Sequence, residues 1–274
     1  MIKTSRLTLF KYISGNEFHD MLAFLPRKWD FCTIMNIAVD TGNTYSKVGW
    51  FEGDKLIRYQ TRLLWPDLIK EIQSNMPDRI IYSSVNASVE ELKESLQLNI
   101  PIMDLSAETP LPIIKEYKTP QTLGADRIAA AVGANWLYPD KDLVIIDMGT
   151  CITYDLVDRL GTFQGGLITP GVKMRFAALH SFTKRLPLFE PVNLPDLIGK
   201  STKEAIESGV MNGVLAEIEG IIDRYRHISP SLCVVICGGD IPFFESSLKP
   251  TIFAVPELVL IGLNRILRYN VALQ

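Results

Sequence analysis

Residues 35–51, MNIAVDTGNTYSKVGWF, decide the fold of this chain. The apolar run at 36–39 predicts a buried strand, and the turn that follows carries Asp40 and Gly42 before a second strand begins near Tyr45. Two strands joined by a short turn that contains glycine are typical of a hairpin. A third strand is expected at 56–61, so this region predicts an antiparallel meander.

The same unit occurs a second time at 142–169, DLVIIDMGTCITYDLVDRLGTFQGGLIT. It has an apolar strand, an Asp-x-Gly turn at 147–149, a second strand, a glycine turn and a third strand. Helices and strands alternate through the rest of the chain, which indicates a duplicated α/β fold with mixed sheets flanked by helices. The predicted helices cover 65–75, 89–97, 123–138, 171–181, 201–227 and 256–268, and further strands cover 79–85 and 231–240.

The duplication divides the chain into three predicted parts. Residues 35–139 and 140–274 are expected to form two lobes, and residues 1–34 are expected to be a leader outside the fold. Met35 stands directly before the first strand, so we predict that the functional protein begins there. The alternative is that residues 17–25 form an extra helix on the surface.

Composition favours a globular cytoplasmic protein. The chain has 274 residues, of which 47% are hydrophobic, and this is enough to bury a sizeable core. A net charge of -3 gives no general attraction to nucleic acid. The chain lacks the run of about 20 apolar residues that a membrane span needs, and it has no signal peptide. Its cysteines lie among apolar or small residues without histidines nearby, which favours free thiols over a zinc site. They are Cys32, Cys151, Cys233 and Cys237.

The two Asp-x-Gly turns, at 40–44 and 147–150, predict a phosphate site. Glycine lets backbone N–H groups approach phosphate oxygens, and each aspartate can orient a hydrated cation. Either turn alone could be only a turn, but two copies at matching places favour a nucleotide clamped between the two halves. The segment CGGD at 237–240 could let a ribose or base approach Gly238 and Gly239, or it could simply join a strand to a helix.

These three motifs together resemble the phosphate and adenosine motifs of the acetate and sugar kinase, Hsp70 and actin superfamily. Within it, LGADR (123–127), FQGGLITPG (163–171) and TKRLP (183–187) resemble the type III pantothenate kinases. The resemblance runs from Met35 nearly to the C-terminus, with the motifs in the family's order. It implies a two-lobed actin-like, ribonuclease H-like fold. It also implies transfer of the ATP γ-phosphate to pantothenate, giving 4'-phosphopantothenate in the first step of coenzyme A synthesis.

The resemblance implies a role for each motif residue. Asp126 is the proton acceptor, and Asp147 ligates a monovalent cation such as potassium or ammonium. Thr202 of the neighbouring subunit in a homodimer closes the substrate pocket. The residues implied to bind ATP are Asp40, Thr41, Gly42, Asn43, Thr44, Tyr45, Ser46, Lys47, Thr150, Gly238 and Gly239. The residues implied to bind pantothenate are Tyr117, Gly124, Ala125, Asp126, Arg127 and Thr202.

The chemistry of these residue types agrees with the implied roles. An alcohol that attacks phosphorus needs a base within hydrogen-bond reach, and Asp126 can be that base. Arg127 has a planar fork that suits the carboxylate of pantothenate. Mg²⁺ is expected with ATP because the polyphosphate charge must be neutralised. The structural alternative is that Asp126 and Arg127 form an ordinary first turn of an exposed helix.

The sequence departs from the family pattern at four places. Small residues are common in the family at the positions of Cys151, Ile152 and Tyr154, and threonine is common at the position of Cys237. We expect these four residues to bear on ATP affinity and cation preference.

Two other functions stay open at this point. One is a non-enzymatic transcriptional accessory factor on the same fold, and the other is a kinase of this superfamily that acts on a sugar or small acid. A factor without activity would be expected to lose the base or a phosphate turn. Asp40, Asp126 and Asp147 are all present, which favours an enzyme.

Overall fold

The structure, a computed structural model, describes residues 34–244, 246–248 and 251–274. The predictions for the leader, including its surface helix and a functional start at Met35, concern residues 1–33 and lie outside the described residues. The division at 139/140 into two lobes stays a prediction. In the described part, no helix is long and apolar enough to cross a membrane.

The first repeated unit and the segments that follow it form the elements up to α3. They are β1 (Met35–Thr41), β2 (Ser46–Glu52), β3 (Lys55–Leu63), α1 (Trp65–Asn75), β4 (Arg79–Ser84), α2 (Val89–Leu96), β5 (Ile102–Asp104), β6 (Ile114–Lys115) and α3 (Ala125–Leu137). The second unit and its continuation form the others. They are β7 (Leu143–Met148), β8 (Cys151–Val157), β9 (Thr162–Pro170), α4 (Val172–Ser181), α5 (Thr202–Ile228), β10 (Cys233–Cys237), β11 (Ile252–Ala254) and α6 (Leu258–Leu273).

The two sheets share one strand order, which confirms the predicted duplicated α/β fold. The first sheet has the order β3-β2-β1-β4-β5, and the second has the order β9-β8-β7-β10-β11 with β6 added beside β9. In each sheet the first strand of the unit pairs antiparallel with the next strand and parallel with the strand that follows the helices.

The predicted bounds of two elements differ from the observed ones by three or more residues at one end. The strand expected at 231–240 is limited to Cys233–Cys237, because Gly238 has a φ of 104° and the extended backbone ends there. The last helix runs on to Leu273 instead of ending near residue 268. Its final turns are held in place by Asn270, whose side-chain amide donates to the carbonyl of Pro110 at 2.9 Å.

Helices α3 and α6 lie between the two sheets. Ala38 and Ile81 of the first sheet and Ile145 and Val235 of the second belong to the same buried cluster as α3 and α6. Helices α1 and α2 cover the outer face of the first sheet, and α4 and α5 cover the outer face of the second. The layers therefore follow the order helix, sheet, helix, sheet, helix.

The two central helices touch backbone to backbone at a pair of glycines. A Cβ atom added at Gly262 would lie 1.7 Å from the carbonyl oxygen of Ala129, and one added at Gly133 would lie 2.5 Å from that of Leu258. Neither position has room for a side chain unless the helices move apart. This close approach sets the distance between the helices on which both sheets pack.

Gly262→Ala is therefore expected to lower the free energy of unfolding by about 3 kcal/mol, because the methyl group overpacks the contact with α3. Gly220→Ala is the matched control, since it also lies within a helix and has open space around its Cβ position. It should raise stability by about 0.5–1 kcal/mol. Urea denaturation of both variants checks this, and equal effects of the two substitutions would contradict it.

Candidate active site

Side chains alternate between the two faces of a strand, so Asp40 of β1 and Asp147 of β7 lie on the sheet faces that pack on α3 and α6. Asp40 lies on the same face of β1 as Ala38, and Asp147 lies on the same face of β7 as Ile145. Across the strands, Lys47 of β2 stands opposite Asp40, and Cys237 of β10 stands opposite Asp147. The two turns of the duplication thus meet at one cleft beside α3.

Four charged side chains from β1, β2, α3 and β7 influence one another in this cleft. Burial raises the pKa of Asp40 to about 6, the Lys47 charge opposes this, and the charges of Asp126 and Asp147 add to it. Burial also raises the pKa of Asp147, against the effect of Lys47. The pKa of Lys47 is raised, since Asp147 and Asp40 outweigh its burial. Its Nζ lies 4.0 Å from Asp40 Oδ2. The structure therefore brings Asp126 together with the lysine and both turn aspartates named from the sequence.

The first turn has an exposed tip and a buried base. Gly42 N–H donates to the carbonyl of Tyr45 at 3.1 Å and closes the hairpin, which leaves Asn43 and Thr44 exposed at its tip. Thr41 and Ser46 are buried instead, and the Ser46 hydroxyl donates to the Thr41 hydroxyl at 3.1 Å. This pair holds the hairpin together, whereas the tip residues are free to meet a phosphate group.

A cavity of about 380 Å³ adjoins this turn. Its walls include Trp65 and Glu94 on the side of α1 and α2. Five of the residues implied to bind ATP also line it: Thr41, Gly42, Thr44, Tyr45 and Ser46. Asp40, Lys47 and Asp126 do not line it.

The second turn is supported by Gly171, the last residue of the FQGGLITPG motif. Gly171 N–H donates to the carbonyl of Thr150 at 3.1 Å, and a Cβ at this position would lie 2.3 Å from the same oxygen. Thr150 itself is exposed. The glycine is thus needed for the close approach of β9 to the turn that follows Asp147.

The CGGD segment lies directly against this second turn. A Cβ at Gly238 would lie 2.4 Å from the carbonyl oxygen of Met148, and Asp240 N–H donates to that oxygen at 3.1 Å. Gly239 has open space around its Cβ position. The two glycines therefore differ: Gly238 is required by the backbone packing, and Gly239 leaves room for a ligand.

The four residues that depart from the family pattern do not share one location. Ile152 and Tyr154 belong to the cluster under α4 and α5, on the outer face of the second sheet. They can affect the cleft only through the strand that carries them. Cys237 lies beside Asp147, and burial and that carboxylate raise the pKa of its thiol. Cys151, Cys233 and Cys237 are all free thiols.

Asp126 is positioned by the start of α3. Gly124 is the N-cap, and the Asp126 Oδ1 atom accepts a hydrogen bond from the backbone N–H of Arg127 at 2.8 Å. A Cβ at Gly124 would lie 2.4 Å from that oxygen. The glycine of the LGADR motif therefore makes room for the aspartate side chain.

Arg127 is buried and faces a partner that the sequence did not identify. Its guanidinium is held by Asp155, and its charge lies 5.8 Å from the ring centres of Tyr117 and Phe163. The only sequence signal for Asp155 is a charged residue inside the apolar strand ITYDLV, which requires a partner that the sequence does not specify.

Thr202 is the first residue of α5 and is exposed. The cap of the helix is Ser201, whose hydroxyl accepts from Glu204 N–H at 3.2 Å. Within the described part of this single chain, no hydrogen bond joins Thr202 to Asp126 or Arg127. That Thr202 closes the substrate pocket of a neighbouring subunit stays a prediction.

The described residues do not form a ready-made metal cage. No group of three or more His, Cys, Asp or Glu side chains in this part of the chain is arranged to hold a metal ion. A Mg²⁺ ion in such a cleft would be coordinated mainly by water and phosphate oxygens, with one or two carboxylates, as is usual for this ion. Asp40 and Asp147 are the carboxylates placed for that.

Comparison with known proteins identifies similar chains along most of the sequence. The family model for type III pantothenate kinase matches residues 36–224. A type III pantothenate kinase of Cytophaga hutchinsonii is 44% identical over 237 residues, which cover 86% of this chain and 100% of that protein. One of Bacteroides fragilis is 45% identical over 244 residues, with coverages of 86% and 98%.

Solved structures with similar folds are more distant in sequence. A Campylobacter jejuni protein named as a Baf family transcriptional activator has a TM-score of 0.57 and 24% identity, covering 86% of this chain and 99% of its own. A Sinorhizobium meliloti protein named as a 2-dehydro-3-deoxygalactonokinase has a TM-score of 0.53 and 14% identity, with the same coverages of 86% and 99%. At these identities the likeness shows the fold alone, and it confirms the predicted actin-like fold.

Asp40→Asn is expected to stabilise the ligand-free protein at pH 8 by about 1–3 kcal/mol. The Asp40 carboxyl has a pKa of about 6 in the folded chain, against an ordinary value of 3.8. Its ionisation therefore lowers stability as the pH rises through this window, and asparagine has no charge to bury. Chemical denaturation should show a gain at pH 8 that shrinks towards zero at pH 4. An equal gain at both values would show that burial of this charge is not its cause.

Proposed function

The chain belongs to the type III pantothenate kinase family, and we propose that its reaction takes place in the cleft where Asp40, Asp126 and Asp147 meet. The enzyme transfers the γ-phosphate of ATP to the primary hydroxyl of pantothenate and forms 4'-phosphopantothenate. The observation that carries this location is that Lys47 of β2 stands opposite Asp40 of β1, with its Nζ 4.0 Å from Asp40 Oδ2. The charges of Asp126 on α3 and Asp147 on β7 act on both of these residues.

ATP is bound between the two repeated turns. The exposed tip of the first turn, with Asn43 and Thr44, meets the phosphates through backbone N–H groups and side chains, and Lys47 neutralises part of their charge. Thr150 and the open side of Gly239 contact the nucleotide from the second half. Thr41 and Ser46, which bond each other, support the hairpin from its buried side.

Asp126 acts as the base for the attacking hydroxyl group. Its carboxylate stands at the N-terminus of α3, in the same cleft as Lys47. Transfer of the hydroxyl proton to Asp126 makes the oxygen a better nucleophile, and the cleft aligns it with the γ-phosphorus. Tyr117, Gly124, Ala125 and Arg127 contact pantothenate, with Arg127 nearest to its carboxylate.

Two cations are proposed for the same cleft. Asp40 and Asp147 are the residues that would hold Mg²⁺, which would neutralise the polyphosphate charge of ATP. We assign Asp147 also to a monovalent cation, K⁺ or NH₄⁺. The support for this is that Asp147 is a buried carboxylate with a raised pKa, which gains from a positive charge beyond that of Lys47.

A homodimer would complete the site through Thr202 of a second subunit. The apolar residues in the middle of α5, such as Val214 and Ile218, are buried in the core of the same chain and do not offer an interface. Support comes instead from exposed apolar side chains close to Thr202 in the sequence: Leu197 and Ile198 are 76% and 77% exposed. Large exposed apolar side chains of this kind are typical of interaction surfaces.

The alternative functions are weaker. A regulator without activity has no need of a partly buried lysine among three aspartates, whose charges cost stability unless a ligand uses them. The relative named as a transcriptional activator shares the fold alone. We place the enzyme in the cytoplasm, where ATP is available and thiols such as Cys233 stay reduced.

Asp126→Asn is expected to lower kcat by about 10²- to 10⁴-fold while ATP still binds, because the amide cannot accept the proton. The assay is pantothenate-dependent ADP release with ATP and Mg²⁺, in potassium and in sodium buffer. Faster release in potassium supports the monovalent site at Asp147.

Asp67→Asn is the matched control for this variant. Asp67 is also an aspartate in the first turn of a helix, and it is exposed on α1. If the two substitutions lowered kcat equally, Asp126 would be an ordinary helix-terminal residue. If the wild-type protein released no ADP in response to pantothenate, the proposed reaction itself would be wrong.

Mixing subunits tests the shared site. Thr202→Ala should raise the KM for pantothenate, and Asp126→Asn should abolish turnover. A dimer that contains one subunit of each kind has one site with both substitutions and one site with neither. Purified mixed dimers, isolated with two different tags, should therefore regain about half of the wild-type activity if each site takes Thr202 from the partner. Mixed dimers without regained activity would show that Thr202 serves its own subunit.

A further inference from the structure

We propose that Asp155 is a positioning residue for pantothenate: it holds the Arg127 guanidinium in one orientation beside Asp126, so that the substrate carboxylate has a fixed place to bind. This inference rests on the proposed function. It concerns how the site selects an anionic substrate, and it adds a residue that no motif of the sequence pointed to.

The contact between the two side chains is extensive. Arg127 Nε donates to Asp155 Oδ2 at 3.0 Å and to Oδ1 at 3.2 Å, and Arg127 Nη2 donates to Oδ1. A guanidinium held along its Nε–Nη2 edge cannot rotate without losing these bonds. The third nitrogen, Nη1, is not engaged by Asp155, and Tyr117 also hydrogen-bonds the Arg127 side chain.

Burial makes this pairing obligatory. Arg127 is 7% exposed and Asp155 is 1% exposed. A buried arginine without a partner carries a large desolvation cost, so the side chain would otherwise turn towards water or draw in solvent. The rings of Tyr117 and Phe163 flank the guanidinium, each centre 5.8 Å from its central carbon. The rings limit its sideways movement, and the carboxylate limits its rotation.

The double glycine of FQGGLITPG gives this group its space. Gly165 has a φ of 97°, and a Cβ there would lie 3.4 Å from the Tyr117 ring. At Gly166 a Cβ would lie 2.8 Å from Asp155 Oδ1 and 1.8 Å from the carbonyl oxygen of Tyr154. A side chain at Gly166 would press on the carboxylate, and one at Gly165 would be strained by the positive φ. The motif therefore serves the Arg127–Asp155 pair rather than the nucleotide alone.

The pair is also close enough to Asp126 to matter for the reaction. Arg127 directly follows Asp126 in α3, and the charge of Asp126 adds to the raised pKa of Asp155, whose main cause is burial. The ion pair with Asp155 that holds Arg127 therefore also holds the first turn of α3, which carries Asp126. A substrate held through Arg127 would have its carboxylate anchored at one end while its hydroxyl approaches Asp126 at the other.

The test is a comparison of Michaelis constants for Asp155→Asn. The variant keeps the size of the side chain and removes its charge, so the guanidinium loses its bidentate partner. We expect the KM for pantothenate to rise by about 10- to 100-fold and the KM for ATP to stay within about twofold. A merely structural role would move both constants or neither, and either of those results would overturn the proposal.

Asp142→Asn is the matched control. Asp142 is also bound by an arginine, through Nε of Arg159 at 3.4 Å and Nη2 at 2.8 Å, and it precedes β7, at the end opposite to Asp147. It should leave both Michaelis constants unchanged. A rise in the pantothenate KM of this variant that equals the rise in Asp155→Asn would mean that loss of any such ion pair has this effect.

Phe163→Leu is a second variant that tests the same proposal if Asp155→Asn does not fold. It loosens one ring beside the guanidinium and leaves the ion pair intact, so a smaller rise in the pantothenate KM is expected, again without a change for ATP. An unchanged pantothenate KM would overturn the proposal. Failure of the proposed function is recognised separately, because the wild-type enzyme would then show no pantothenate-dependent ADP release.

Discussion

The backbone contact between α3 and α6 is the constraint on which the rest of this structure depends. At Gly133 and Gly262 the two helices approach so closely that a single methyl group would meet a carbonyl oxygen. Both sheets pack on this helix pair, each from its own side. The distance between the sheets is therefore set by two residues without side chains. Because Asp126 stands at the start of α3, the same contact determines where its carboxylate lies relative to both Asp-x-Gly turns.

The charged cleft between the turns lowers the stability of the ligand-free protein. The charges of Lys47, Asp126 and Asp147 all act on Asp40, and burial raises the pKa of Asp40 and Asp147. Such an arrangement destabilises the chain without ligands, since one lysine cannot balance three carboxylates. It becomes favourable when cations and a nucleotide enter. The apolar clusters on both faces of each sheet offset this cost.

Glycine has a different physical task at each site motif. Gly124 leaves space for the Asp126 carboxylate, Gly171 lets β9 touch the second turn, and Gly238 continues the chain with a positive φ over Met148. Gly165 and Gly166 leave space for Tyr117 and Asp155. In each case the missing Cβ allows a backbone or a charged group to come closer than any other residue would permit. The glycines of these motifs are therefore needed for close packing, whatever their contacts with a ligand.

The sequence by itself determined the repeated unit, the order of helices and strands and the identity of the acidic turn residues. These features depend on local patterns of apolar residues, glycine and aspartate, which act over a few positions. The tertiary structure alone decided that Thr41 and Ser46 bond each other, that Ile152 and Tyr154 face away from the cleft, and that Arg127 is bound to Asp155. Such pairings join residues of different strands and helices. Strand register and helix packing decide which residues become partners. A charged residue in an apolar strand shows from the sequence that it needs a partner, but the sequence does not show which residue that partner is.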